Sequence, residues 1–265
     1  MTTLTATDPA AAAPAMPTTS ERRTPFIRLV RMELRKQLDT RAGKGLLIAI
    51  VVVSAAVVAL QLWFNQPENL TWASLSDGAS LGQALLLPLI GIMAATSEWS
   101  QRTALVTFTL EPRRTLVNLA KLTSAVWLGV IVMVATYAIS AVLNVVGMVA
   151  FDGDGSWSLS GGALLGMLLG VLLLVIQGVG FGLALLNTPV AIVAYLVLPT
   201  LFTILAAFPS LAGVGEWLDL NTTMLPLIEW NLDGGSLARL ATSAAVWILL
   251  PLGFGLWRTA HREVA

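Results

Sequence analysis

The sequence predicts an all-α polytopic membrane protein with six transmembrane helices, on three observations. Hydrophobic residues make up 56% of the 265-residue chain and charged residues only 11%, against roughly 45–50% and 25% in soluble domains. Apolar runs long enough to cross a hydrocarbon core of about 30 Å recur along the chain. The charges are sorted into the segments between those runs rather than scattered through them.

Residues 1–20 are rich in Ala, Thr and Pro and carry Asp8 as their one charge. They lack the basic segment and apolar core of a signal peptide, and residues 1–23 are expected to form a disordered cytoplasmic tail. At Thr24-Pro25 the pattern changes to a cap followed by proline in a first helical turn. Ile27, Val30, Leu34 and Leu38 then recur at helical spacing, with Arg28, Arg31, Arg35 and Lys36 between them. Residues 24–44 are expected to form an amphipathic basic helix lying in the plane of the interface; the plainer alternative is a surface helix.

The six apolar runs are placed at 45–64, 80–97, 122–148, 161–186, 190–208 and 238–257, giving a transmembrane domain over 45–257 and a cytoplasmic tail over 258–265. The fourth and fifth are separated only by Asn187-Thr188-Pro189. With the N-terminus inside, every Lys and Arg except Arg239 falls on the cytoplasmic side, so the positive-inside rule sets both termini in the cytoplasm. The outer loops are acidic, with Glu68, Asp77, Asp152, Asp154, Glu216, Asp219, Glu229 and Asp233. In the last of them Leu211, Val214, Trp217 and Leu218 suggest one short helix and Met224 to Trp230 a second apolar patch, both expected at the outer interface before helix 6.

The fourth run carries Gly162, Gly166 and Gly170, then Gly178 and Gly182, a spacing that lines one helix face and lets another backbone come close. Packing within the chain is the plain reading, a subunit interface or a hinge the alternatives. Pro88 and Pro199 interrupt runs, and the polar residues inside runs are Gln83, Thr96, Asn144, Gln177 and Thr203. No ionisable residue is expected at mid-membrane depth, which argues against a proton-driven transporter and against an intramembrane hydrolase. The chain has no cysteine and its only histidine is His261, which leaves no thiolate or histidine-based metal centre. Gly43-Lys44 lacks the rest of a phosphate-binding loop, so nucleotide chemistry would belong to another polypeptide.

One polar segment stands apart. Ser97–Lys121, between the second and third runs, gathers Glu98, Arg102, Glu111, Arg113, Arg114 and Lys121 around an apolar, β-branched stretch from Thr103 to Leu110. It is expected to form one or two short interfacial helices with a basic end, on the cytoplasmic face. Thr96-Ser97-Glu98, Thr103, Leu110-Glu111-Pro112-Arg113-Arg114 and Ala120-Lys121, in that order, resemble the membrane subunits of ABC-2 type exporters. In that family the second span ends in a Ser/Thr-Glu pair, followed by a threonine, an apolar stretch, a Pro-Arg-Arg cluster and an Ala-Lys leading into the third span. The likeness extends over residues 24–262, through six spans, a basic helix ahead of the first and an outer loop before the sixth. Glu111 departs from it, standing where many relatives have a small residue.

The resemblance implies a permease subunit without cofactor or metal of its own, in the plasma (inner) membrane. Two copies of a separate ABC ATPase, which bind ATP and Mg, and a second copy of this chain or a related permease would complete the transporter; nucleic acid has no place in it. Glu98, Arg102, Thr103, Glu111, Pro112, Arg113, Arg114 and Lys121 would form the ATPase-coupling segment, with Arg102, Arg113 and Arg114 facing the ATPase and Glu98 pairing with one of these arginines. The helix with Arg28, Arg31, Arg35 and Lys36 would be the connecting helix, and spans one, two and five would line the path of an apolar or amphipathic substrate. Two other classes compete: a membrane-embedded enzyme, and a non-transport membrane anchor or assembly partner.

Overall fold

A computed structural model describes residues 24–206 and 208–262; the tail expected over 1–23 lies outside them. All the secondary structure among the described residues is helical, without a strand. Two helices replace the single one expected over 24–44: α1 (Phe26–Asp39) and α2 (Arg41–Phe64). The corner between them is made by Thr40, whose Oγ1 accepts a hydrogen bond from Gly43 N at 3.1 Å. Only glycine fits at 43, because a Cβ there would lie 1.9 Å from Gln37 O.

After a short 3₁₀ turn come α3 (Trp72–Ser100), α4 (Ala104–Leu110) and α5 (Arg114–Ala150). Next are α6 (Gly161–Leu185), α7 (Thr188–Ala206), α8 (Ala212–Leu218), α9 (Leu220–Ile228), α10 (Gly234–Ala244) and α11 (Leu250–His261). A π-helical turn at Ala245–Leu249 joins the last two into one rod over Gly234–His261, which passes the expected end of the sixth span at 257. The 37 residues of α5 extend about 55 Å, longer than the bilayer core, so its ends project beyond it.

Among the described residues, α2, α5, α6 and the α10–α11 rod are long and apolar enough to cross a membrane. A fifth span is added if Trp72–Ser80 and Gly82–Ser100, which meet at 47°, are counted as one broken crossing. The bend falls between a serine and a glycine, the composition at which sharp helix kinks form. The run expected as the fifth span gives a shorter apolar helix over Thr188–Ile204 with Pro199 inside it. The chain is thus a multi-pass, membrane-embedded all-α protein with four or five candidate crossings.

The bundle is organised on α6, which packs against α3, α5, α7, α9 and α11. Its crossing with α3 is backbone to backbone. A Cβ on Gly178 would sit 2.0 Å from Pro88 O, and one on Gly91 would sit 2.4 Å from Val175 O. Around that crossing lie Leu87, Ala94, Val175, Val179 and Leu183. Pro88 has no N–H to give the carbonyl four residues back, Ala84 O, and Tyr195 Oη of α7 donates to that oxygen at 2.9 Å instead.

The glycine row of α6 serves two partners. Gly178 and Gly182 meet α3 at Pro88, Ile92 and Ala95. Gly162, Gly166 and Gly170 meet Trp230, the carbonyls of Leu227 and Ile228, and the Ile228 side chain. The apolar patch expected over Met224 to Trp230 falls in and just after α9. The helix turns inward on the three glycines and buries Leu220, Met224 and Leu227 with Leu240 and Ile248. The short helix α8 keeps Val214 and Trp217 exposed. Two of the acidic loop residues are caps: Asp219 accepts from Asn221 N at 3.1 Å, and Asp233 from Ser236 N at 2.6 Å.

Candidate functional site

The Ser97–Lys121 segment folds as a short helix hung between two long ones. At the end of α3, Thr103 N donates to Glu98 O at 2.8 Å, and Arg102 takes a left-handed conformation with φ 57° that turns the chain into α4. Helix α4 buries Ala104 and Phe108 against Val117 and Trp99 and leaves Leu105, Val106 and Leu110 exposed. Glu111-Pro112-Arg113 then ends it. Glu111 grips Arg113 with both oxygens, at 2.7 Å to Nε and 2.9 Å to Nη2. The same Nη2 donates to Thr24 O at 3.0 Å, fastening the start of α1 to this turn.

Arg114 is committed inside the chain. Its guanidinium lies 5.1 Å from the centre of the Phe108 ring and donates to Thr259 O at 3.2 Å and to Arg262 O. Arg262 in turn stacks over Trp99 at 5.2 Å, and Asn118 Nδ2 donates to Thr259 Oγ1 at 2.7 Å. The end of the rod is therefore clamped against α3 and α5.

Beneath α4 lies a buried ion cluster drawn from three helices. Lys36 Nζ of α1 lies 2.7 Å from Glu33 Oε1 and 2.8 Å from Glu98 Oε1. Lys121 Nζ of α5 lies 3.1 Å from Glu33 Oε2 and 3.2 Å from Glu98 Oε2, the latter without hydrogen-bond geometry, and donates to Ala94 O at 3.3 Å. Thr107 Oγ1 of α4 donates to Glu98 Oε1 at 2.9 Å, so the short helix is bonded to the cluster directly. Burial pulls the Lys36 ammonium toward neutrality, but the Glu33 and Glu98 charges outweigh it and hold its pKa above the ordinary lysine value. Pairs this deep persist because each charge is answered; an unanswered charge there costs several kcal/mol.

These contacts correct one expectation. Glu98 pairs with two lysines and with none of Arg102, Arg113 or Arg114. Glu98 and Lys121 are 4% and 1% exposed, so both act within the chain. The face of α1 turned to the bundle is Leu29, Val30 and Glu33, and Ile27 and Leu38 of the expected apolar stripe are exposed, as a helix lying on a membrane interface would leave them. Arg28, Arg31 and Arg35 lie on the exposed side of α1, and Lys36 leaves them to join the cluster. Sequence reasoning missed Glu33. The available signal is its position four residues after Leu29 and three before Lys36, on one helix face.

The arrangement links α1, α3, α4 and α5 mechanically. A displacement of α4 bears on Glu98 through Thr107, and from Glu98 on α1 through Lys36 and on α5 through Lys121. Among the described residues no group of His, Asp or Glu could hold a metal ion. Compared with models of protein families and with curated proteins, the chain matches none of them.

Proposed function

We propose that the chain is the membrane-spanning permease subunit of an ATP-driven ABC-2 type exporter, set in the plasma membrane with both termini cytoplasmic. It couples ATP hydrolysis by a separate ATPase, present in two copies, to efflux of an apolar or amphipathic substrate, and pairs with a second permease copy. The supporting observation is the pairing of two features on α4. Leu105, Val106 and Leu110 form an apolar face with nothing from this chain upon it, beside Arg102 and Arg113. The opposite side of the same helix is bonded to the Glu33–Lys36–Glu98–Lys121 cluster that ties three helices together. A partner seated on α4 would thereby move α1, α3 and α5 at once.

The test uses co-expression with candidate ABC ATPases from the same genome. Leu105→Asp with Leu110→Asp places charge on the exposed face and touches none of the buried contacts. It should abolish co-purification and substrate-stimulated ATP hydrolysis with no change in melting temperature. Undiminished co-purification overturns the reading. Reversing Arg114 is a poorer probe, since its contacts to Thr259 and Phe108 hold this chain together.

A further inference from the structure

Helix α1 carries three kinds of chemistry on three sides. Leu29, Val30 and Glu33 are buried against the bundle, where α1 packs on α5, α2 and α3. At about 100° per residue, Arg28, Arg31 and Arg35 fall on the side opposite them, and Ile27, Leu34 and Leu38 lie between the two. An apolar flank beside a basic face is the form of a helix at a membrane surface, its flank in the lipid and its cations level with the headgroups. The chain itself sets the depth. Only Thr40 separates α1 from α2, whose apolar run begins at Leu46, so Arg41 and Lys44 stand at the same edge of that run.

The charges of this corner are unanswered. Arg28, Arg31, Arg35, Arg41 and Lys44 are exposed, and none forms an ion pair among the described residues. The exposed carboxylate on the same stretch is Asp39, while Glu33 is taken by Lys36 and Lys121. The corner is also held in place: Thr40 caps α2 through Gly43 N, Gln37 Nε2 donates to Ser124 Oγ of α5 at 2.7 Å, and Lys36 is bonded to Glu98. Guanidinium groups fit oxyanions that take two N–H donors at once, and at headgroup depth the lipid phosphate is that group. A choline-headed lipid brings its own cation among these cations, whereas a glycerol-headed one leaves its phosphate charge free to meet them.

We infer that the corner of α1 and α2 is a binding surface for anionic phospholipid, of the phosphatidylglycerol kind. Lipid phosphates lie along Arg28, Arg31, Arg35, Arg41 and Lys44, and acyl chains lie against Ile27, Leu34 and Leu38. The inference stands apart from the permease reading, since it uses the charges and contacts of this chain and no ATPase.

The experiment is photolabelling of the purified full chain in phosphatidylcholine nanodiscs that carry a trace of one of two probes. Both bear a diazirine near the headgroup end of an acyl chain; one has a phosphatidylglycerol head, the other a phosphatidylcholine head. Peptide mass spectrometry gives the yield of each on α1 and the first turns of α2, relative to its yield on the exposed face of α7 at Val190, Val193 and Val197. One basic residue near an anionic surface contributes roughly fivefold, so the glycerol-headed probe should be favoured at the corner by about tenfold or more. Arg28→Gln with Arg31→Gln and Arg35→Gln should bring that preference to within about twofold of the α7 value, and 1 M salt should lower it in the unaltered chain, where the screening length falls to about 3 Å. Equal yields from the two probes at the corner overturn the choice of anionic lipid. A preference that survives in a normally melting triple variant overturns the arginine row; if that variant melts abnormally, a preference unchanged by salt in the unaltered chain does so instead. Corner peptides that neither probe labels, with α7 labelled, overturn the lipid contact and assign that face to a protein partner.

Discussion

Lys121 reaches Glu33 at 3.1 Å across 88 positions of sequence, joining the basic N-terminal helix to the interior of the bundle. Lys121→Met leaves two carboxylates to share Lys36. It should lower stability by about 3–5 kcal/mol, the cost of stranding a buried charge. Adding Glu98→Met leaves Glu33 and Lys36 as a matched pair, so the double variant should melt above the single one. Thermal unfolding in one detergent checks the order of the two, which simple loss of contacts would reverse.

Tyr195→Phe removes only an oxygen. It should nonetheless cost about 1–3 kcal/mol, because Ala84 O, already deprived of a donor by Pro88, then loses the hydrogen bond that replaced it. A melting temperature equal to wild type would show that another group takes over that carbonyl.

Gly178→Ala and Gly45→Ala make the same chemical change in opposite settings. The first puts a methyl 2.0 Å from Pro88 O and must push α3 and α6 apart, at about 1–3 kcal/mol or more. The second meets nothing within 4 Å and should be neutral or stabilising by up to about 1 kcal/mol, as expected for alanine in a helix. Thermal melts of the two variants side by side measure the contrast.

The turn after α4 should loosen in acid. The hydrogen bond from Arg113, opposed by burial, holds the Glu111 carboxyl below its ordinary value of 4.5. A depressed carboxylate stabilises the fold above that ordinary value and loses its contribution as pH falls through the lower folded value. Because Arg113 also holds Thr24 O, amide protection in the first turn of α1 should drop over that acid range. Glu111→Gln should show reduced protection with no acid step, and an acid step that persists in it would assign the titration elsewhere.

Helices were legible wherever one physical signal decided them. Apolar length located α2, α5, α6 and the last rod, and the break at Glu111-Pro112 separated α4 from α5. Crossing counts were less legible, because composition does not reveal that α3 bends at 47° or that α7 is short. The site was half visible. Glu98 and Lys121 were singled out, but their partners lie on α1, and pairing across that distance is set by how three helices pack. Lys36 looked like one more interfacial cation among Arg28, Arg31 and Arg35. Its difference, a carboxylate three residues earlier on the buried face, requires knowing which face is buried.

The ion cluster has an electrical consequence as well. Moving one elementary charge through a membrane field costs or yields about 2.3 kcal/mol per 100 mV. Two lysines and two glutamates displaced together transfer none. When the cluster shifts as one unit, the resting potential of the cell does no net work on its four charges.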